Sequence, residues 1–304
     1  MKSIAVSELN RLAKVPNELI AKGEELYTKQ IEAAAERIYA EREQRPIVLV
    51  SGPSGSGKTT SAARIKAILR EKGVETHTIS MDDYFLPKSA NIQVFDDNGN
   101  IDLESPLRLD VELFRAHLEK LNRCEEIDIP LFDFATQERR EGMKLQIKRG
   151  DLVILEGIHA LNPLVTGDSD SYTNRVYVSV RTRISDDSGA LLHPSKIRLM
   201  RRLLRDKLYR GRSIKETFNF FKSVERGENL YIMPFKHRAD FDIDTFIEYE
   251  PLVYRDILLP DLQSAALSYD GYSDYADIEK FLSLLDGVCK TLVPENSLVR
   301  EFIG

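Results

Sequence analysis

The run "IVLVSGPSGSGKTTSAARIKAILREKG", Ile47 to Gly73, constrains the fold of this 304-residue chain more than any other stretch. "IVLV" is a short apolar run of the kind that forms a strand buried on both faces of a parallel sheet. "TTSAARIKAILREKG" carries apolar residues at helical spacing, at Ala62, Ile65, Ile68 and Leu69, and Gly73 is placed to end that helix. Between strand and helix, Gly52, Gly57, Lys58 and Thr59 match G-x-x-x-x-G-K-[ST]. The glycines, Gly55 included, let backbone N–H groups turn inward around phosphate oxygens while the helix aims its positive end at the same point. Lys58 adds a full charge, and Thr59 can place its hydroxyl on Mg²⁺. Ser54, Ser56 and Thr60 complete the cradle. A plain turn between strand and helix needs no lysine, so the three features in register indicate a nucleotide phosphate site. The motif alone does not separate hydrolysis from transfer.

The rest of the chain fits an α/β plan. Glu18 to Gln44, rich in Ala, Glu, Lys and Arg, reads as one or two amphipathic helices, and Pro46 ends that pattern. "VETHTIS", a helix around Val111 to Leu121, "DLVILEG" and "RVYVSV" continue an alternation of strands and helices. Ile129 to Lys148 holds two strand-like pieces around Gly142 and predicts a hairpin projecting from the sheet. Pro194 to Gly227 is helical and strongly basic. The expected architecture is a parallel sheet flanked by helices, with a projecting β-hairpin and a helical, Arg-rich lid. Its expected divisions are an N-terminal helical extension at 1–45, a phosphate-loop domain at 46–250, and a C-terminal helical segment at 251–304 packed on that domain.

Composition narrows the surroundings. No apolar run reaches the about 18 residues a membrane span needs. The opening "MKSIAVSELNRLAK" lacks the apolar core and cleavage site of a secretory signal. Cys124 and Cys289 are too few and too far apart for a disulfide framework or a thiolate zinc site, so the cytoplasm is the expected compartment. A net charge of −6 argues against nucleic acid and anionic membrane as partners, while a homo-oligomer stays open.

Two acidic positions and one basic helix accompany the loop. "ISMDDYF" places Asp82 and Asp83 where a strand ends, at the sheet edge where open α/β folds bind ligands. There a carboxylate can accept the proton of an attacking hydroxyl, or simply cap a loop. Glu156 ends the apolar run "DLVILE", where a carboxylate can hold magnesium. His159 nearby reads as a packing or hydrogen-bonding residue. In "KIRLMRRLLRDKLYRGRS", Arg198, Arg202 and Arg205 share a helix face. That face can be solvated, can track nucleic acid, or can close over a triphosphate; the acidic chain disfavours the second.

In this order the pieces resemble the uridine kinase and phosphoribulokinase family of P-loop kinases, over about Ile47 to Ile243 and most closely its uridine kinase branch. The resemblance implies transfer to a hydroxyl. In the family an S-x-D-x-[YF]-[YF] segment carries the catalytic base, and "SMDDYF" puts Asp82 on that position and Asp83 on a variable one. The family's N-[YF]-D segment is similar to "NID", which makes Asp102 an acceptor contact, with Ile101 in place of the aromatic. Its lid, R-x-x-R-D followed by R-G-R, is matched by Arg202, Arg205, Asp206, Arg210, Gly211 and Arg212. Its hairpin, Y-D-[FHY]-x-x-H-[ST]-R, is matched by "FDFATQER", so Phe132 and Gln137 stand where a tyrosine and a histidine read the pyrimidine.

The implied enzyme is a magnesium-dependent kinase using ATP or another NTP on a small-molecule acceptor, most closely the 5′-hydroxyl of a pyrimidine nucleoside. Lys58, Asp82, Arg205 and Arg210 are then catalytic, Arg202 and Arg212 join the loop in holding the nucleotide, and Thr59 and Glu156 hold the metal. Asp102, Phe132, Gln137 and Arg202 would face the acceptor. Another small alcohol, such as a sugar phosphate or a pantothenate-like compound, stays open as the acceptor. So does a nucleotide-dependent regulatory or RNA-binding protein.

Overall fold

The computed structural model describes residues 2–97 and 99–304. The chain enters through strand β1 (Ser3–Ala5) and helix α1 (Val6–Ala13). Pro16 then opens α2 (Pro16–Glu41), one unbroken helix, at a first-turn position where a missing N–H costs nothing. Strand β2 (Ile47–Ser51) is buried at every position, and α3 (Lys58–Glu71) starts as the glycine loop ends. Strand β3 (Thr76–Ser80), helix α4 (Val111–Asn122), the hairpin β4 (Ile127–Asp133) and β5 (Glu138–Leu145), and β6 (Leu152–Glu156) come next. A single turn α5 (Pro163–Thr166) leads to β7 (Thr173–Ser179), then to the short β8 (Arg183–Ser185) and β9 (Leu191–Leu192). The basic region forms α6 (Pro194–Arg210) and α7 (Ile214–Tyr231), followed by β10 (Phe241–Asp244). Helices α8 (Glu250–Ala266), α9 (Ala276–Ser283) and the one-turn α10 (Arg300–Ile303) finish the chain.

Five strands pair in parallel in the order β10-β7-β2-β6-β3, so β2 is central and its loop emerges at the carboxyl edge of the sheet. In the β4–β5 hairpin the register shifts between Ile129 and Leu131, around Pro130, which has no N–H to give to the ladder. Gly142 is required opposite, because a Cβ there would fall 1.7 Å from the Ile129 carbonyl oxygen. A second small sheet, β1-β8-β9, was not anticipated from sequence, since strands of two or three residues are too short to show a period.

Side chains alternate along β2 and so divide the core. Val48 and Val50 meet Ile31 of α2 and Ile65 and Leu69 of α3, whereas Ile47 and Leu49 meet Phe114 and Leu118 of α4. The first cluster continues through Leu9, Leu203, Phe218, Leu258, Phe281 and Phe302. Segments 1–45 and 251–304 therefore bury apolar side chains in the same core as residues 46–250. Within it, Arg201 Nε and Nη2 donate to Glu250 Oε2 and Oε1 at 2.7 and 3.0 Å, with both side chains fully shielded from solvent. The remaining Arg201 donors reach the carbonyls of Gly55 and Thr245 and the Thr245 hydroxyl oxygen, which is the full satisfaction a buried ion pair requires. Among the described residues no helix is long and apolar enough to cross a membrane.

Candidate active site

Close packing decides the shape of the phosphate loop. A Cβ at Gly52 would lie 2.0 Å from the Val178 carbonyl oxygen of β7, and Gly57, with φ 83°, takes the left-handed conformation that starts α3. The loop carbonyls are held from outside. Arg198 and Arg201 donate to those of Ser54 and Gly55 at 3.1 and 3.0 Å, and the Thr245 hydroxyl donates to that of Ser56 at 2.7 Å. Part of the basic helix thus braces the loop, and its guanidiniums at Arg198 and Arg201 are buried rather than turned outward.

In front of the loop is a cavity of about 420 Å³, lined by Ser54, Gly55, Gly57, Lys58 and Thr59 and, from other elements, Asp82, Glu156, Arg202, Arg205, Arg210 and Arg212. The tertiary fold therefore brings eleven of the expected site residues to one space. Gly52, Ser56 and Thr60 support it from behind the lining. Strands β3 and β6 pair Ser80 with Glu156, which sets the residues just beyond β3 beside the end of β6. Ser80 Oγ accepts from the Asp82 N–H at 3.3 Å and so caps the 3₁₀ turn Met81–Tyr84 that carries Asp82. Gly157 lets that turn approach, since a Cβ there would fall 2.6 Å from Met81 Cβ.

Charge is balanced tightly inside the cavity. Removal from bulk water pulls the Lys58 ammonium below the usual lysine range, against the opposing pull of Glu156, Asp82 and Glu301. The same desolvation pushes the Asp82 carboxyl up, opposed by Lys58 and reinforced by Asp83. It also raises Glu156, where Lys58 again opposes. Thr59 Oγ1 donates to Glu156 Oε1 at 3.5 Å.

The two adjacent aspartates diverge. Asp82 faces the cavity, whereas Asp83 Oδ1 accepts from the Phe132 N–H at 3.3 Å and holds the hairpin. Asp102 does not reach the cavity. Its Oδ2 accepts from the Tyr231 hydroxyl at 2.7 Å and pairs with Arg226 at 2.8 Å, and its Oδ1 accepts from the Glu104 N–H. From this segment Leu103 and Glu104 do line the cavity, and Glu104 fits because Gly227 of α7 leaves room for its Cβ. Phe132 and Gln137 line a second cavity of about 410 Å³, which shares Leu103 with the first. The Phe132 ring packs against Phe85 and Phe134 with centroids 5.6 and 5.1 Å apart. His159 is buried and held neutral, with its ring pushed down to about 4 by burial.

The lid arginines gather around one acid. Asp206 is fully buried, and Arg210, Arg205, Arg212 and Arg202 stand 3.1, 3.6, 3.6 and 3.9 Å from its carboxylate. Gly211, with φ 62°, ends α6 in the left-handed conformation and turns the chain so that Arg210 and Arg212 converge. Burial lowers Arg202 to about 10, with Arg205 adding to that shift and Asp206 opposing it. Arg202 also donates to Ser54 Oγ at 2.5 Å, linking lid and loop. Sequence reasoning missed Glu104 and Glu301 as cavity residues. Glu104 had a weak signal, lying two positions beyond Asp102, and Glu301 had none, because nothing around it forms a motif.

Comparison with known proteins supplies the lineage. The model of the phosphoribulokinase / uridine kinase family matches residues 47–249. A uridine kinase of Listeria monocytogenes serotype 4a (strain HCC23) is 33% identical over 205 residues, covering 66% of this chain and 87% of that protein. A uridine kinase of Staphylococcus aureus (strain JH9) is 29% identical over 200 residues, covering 65% and 86%. Among solved structures, a D-glycerate 3-kinase from Cryptococcus neoformans var. grubii is 16% identical, with a TM-score of 0.49 over 67% of this chain and 88% of that one. With the phosphate loop, the Asp82 turn, the Glu156 strand end and the four-arginine lid around one cavity, the chain belongs to the phosphoribulokinase / uridine kinase family and is a phosphotransferase acting on an alcohol group.

Proposed function

We propose that this enzyme transfers the terminal phosphoryl group of ATP to the 5′-hydroxyl of a pyrimidine nucleoside. The observation that supports it most is the meeting of Lys58, Asp82, Glu156 and four lid arginines in one cavity that adjoins a second cavity lined by Leu103, Phe132 and Gln137. The loop amides and Lys58 hold the donor phosphates. Asp82 accepts the proton as the acceptor oxygen bonds to phosphorus and the bond to the leaving diphosphate breaks. Arg202, Arg205, Arg210 and Arg212 neutralise the charge that spreads over the transferred group. Thr59 and Glu156 offer two oxygen donors within 3.5 Å of each other. The described residues contain no group of three or more His, Cys, Asp or Glu side chains placed to hold a metal. That donor set suits Mg²⁺, which keeps waters and phosphate oxygens in its shell and needs few protein ligands. When bound, it would neutralise phosphate charge and orient the chain for transfer.

The base would enter the second cavity beside Phe132, whose ring Phe85 and Phe134 hold in place, with Gln137 at its edge. Gln137 can offer either a donor or an acceptor by turning its amide, and Phe132 makes no polar demand. Uridine and cytidine should therefore both stimulate ADP formation, with kcat/KM values within about tenfold of each other, because no buried polar group is left unpaired by either. Phe132→Tyr with Gln137→His should widen that ratio. The test is a panel of nucleosides, sugar phosphates and pantothenate with ATP and Mg²⁺. Phosphorylation of another alcohol, and of no nucleoside by either form, would leave the kinase chemistry standing and remove the nucleoside assignment.

The lid makes its own prediction. Arg210→Ala should lower kcat about tenfold while donor affinity changes little, since a lid arginine acts chiefly on charge that develops in the closed complex. Lysine should not restore it, lacking the planar fork. A variant that keeps full turnover and loses RNA affinity instead would favour a nucleic-acid role for this helix.

A further inference from the structure

One wall of the phosphate cavity comes from outside the family-matched residues 47–249. It is Glu301, on α10. Thr60, in the first turn of α3 beside Lys58 and Thr59, donates its hydroxyl hydrogen bond to Glu301 Oε2. The contact is built into the fold. Leu298, Val299 and Phe302 are fully buried, and Ser297 Oγ and the Tyr249 hydroxyl are 2.7 Å apart. The Arg201 guanidinium lies 5.1 Å from the centre of the Phe302 ring, and Leu298 sits so close to the loop that a Cβ at Gly57 would fall 2.6 Å from its Cδ1.

The first turn of α3 is where the helix dipole and the loop amides concentrate positive potential, and it is the natural seat of a donor phosphate. A carboxylate already stands there. A phosphate oxygen arriving at Thr60 meets a hydroxyl that is engaged and a negative charge beside it. We propose that Glu301 is a specificity-determining residue of the donor site: its carboxylate holds Thr60 in place of a donor phosphate oxygen, and a polyphosphate chain binds by displacing it. This rests on the phosphate-loop reading above. Short or weakly held anions are thereby disfavoured, because only a chain that also engages Lys58 and the lid arginines offsets the displacement.

The experiment is calorimetric binding of inorganic tripolyphosphate, and separately of ATP, to the full chain. Wild type, Glu301→Gln and Glu301→Asp are compared, each alone and combined with Lys58→Ala, with thermal melting as the check on folding. Glu301→Gln keeps the shape and removes the charge, so it should bind tripolyphosphate about tenfold more tightly, the scale of one charge-assisted hydrogen bond no longer in competition. Glu301→Asp withdraws the carboxylate by one methylene and should give a smaller gain. Both gains should vanish when Lys58→Ala is added. Equal or weaker binding by a folded Glu301→Gln, with the Lys58 dependence intact, overturns the inference and leaves the loop reading standing. If Glu301→Gln does not fold, unchanged affinity in Glu301→Asp overturns it equally. Binding indifferent to Lys58→Ala removes both readings together.

Discussion

Asp82→Asn is expected to lower kcat by about 10² to 10⁴, the range a positioned general base commonly contributes, while donor affinity stays within about twofold. Asparagine keeps the shape and cannot take the proton. The neighbouring Asp83→Asn should be far milder, because that carboxylate faces the Phe132 backbone N–H and not the cavity. The pH dependence carries a sign as well. Desolvation raises the Asp82 carboxyl above the usual aspartate range, with Lys58 pulling against it, and only the ionised form can accept a proton. Activity should thus fall as pH drops through that raised value, and the Asp82 variant should lack this acidic limb. Saturating-substrate rates for both variants across pH make the comparison, and equal losses at the two positions would sink the assignment.

Lys58→Ala should lower kcat/KM on the order of a hundredfold, equivalent to about 3 kcal/mol for one charged contact with the transition state. The fold should survive. Lys58 lines the cavity, where lost hydration already works against its charge, and its ammonium donates to the Pro53 carbonyl at 3.3 Å instead of packing in the apolar core, so removing it costs the core little. Thr59→Ala should follow the same pattern through the loss of a metal-facing hydroxyl. Steady-state ADP formation measured beside a thermal melt separates a lost site from a lost fold. Near-wild-type turnover by a folded Lys58→Ala would show that the loop does not hold the donor.

Where one segment contains its own signal, sequence and structure agree closely. The strand, loop and helix from Ile47 to Glu71 are contiguous, and their apolar period, glycine spacing and lysine are all set within one βα unit. The β4–β5 hairpin and the α6 lid are likewise local, and Gly211 marks the end of α6 through a backbone conformation that favours glycine. Adjacent side chains are a harder case. Asp82 and Asp83 look alike in composition, and their different roles depend on which one the turn after β3 aims at the cavity and which at the hairpin.

Asp102 illustrates the limit more sharply: the motif assigns it an acceptor contact, whereas its placement against Tyr231 and Arg226 of α7 is set by packing that no local pattern announces. Arg198 and Arg201 were legible as basic, yet only the packing of α6 behind the loop turns them into braces for its carbonyls. The phosphate loop, the order of the core strands β2, β3, β6 and β7 and the chemistry offered are legible locally, because propensity, periodicity and glycine conformation act over a few neighbouring residues, whereas the short β1, β8 and β9 are not. Tertiary structure alone decided which acids face the cavity, and it brought Glu301 to Thr60 across 241 residues, because burial of Leu298, Val299 and Phe302 in a shared core is a long-range event with no local period to announce it.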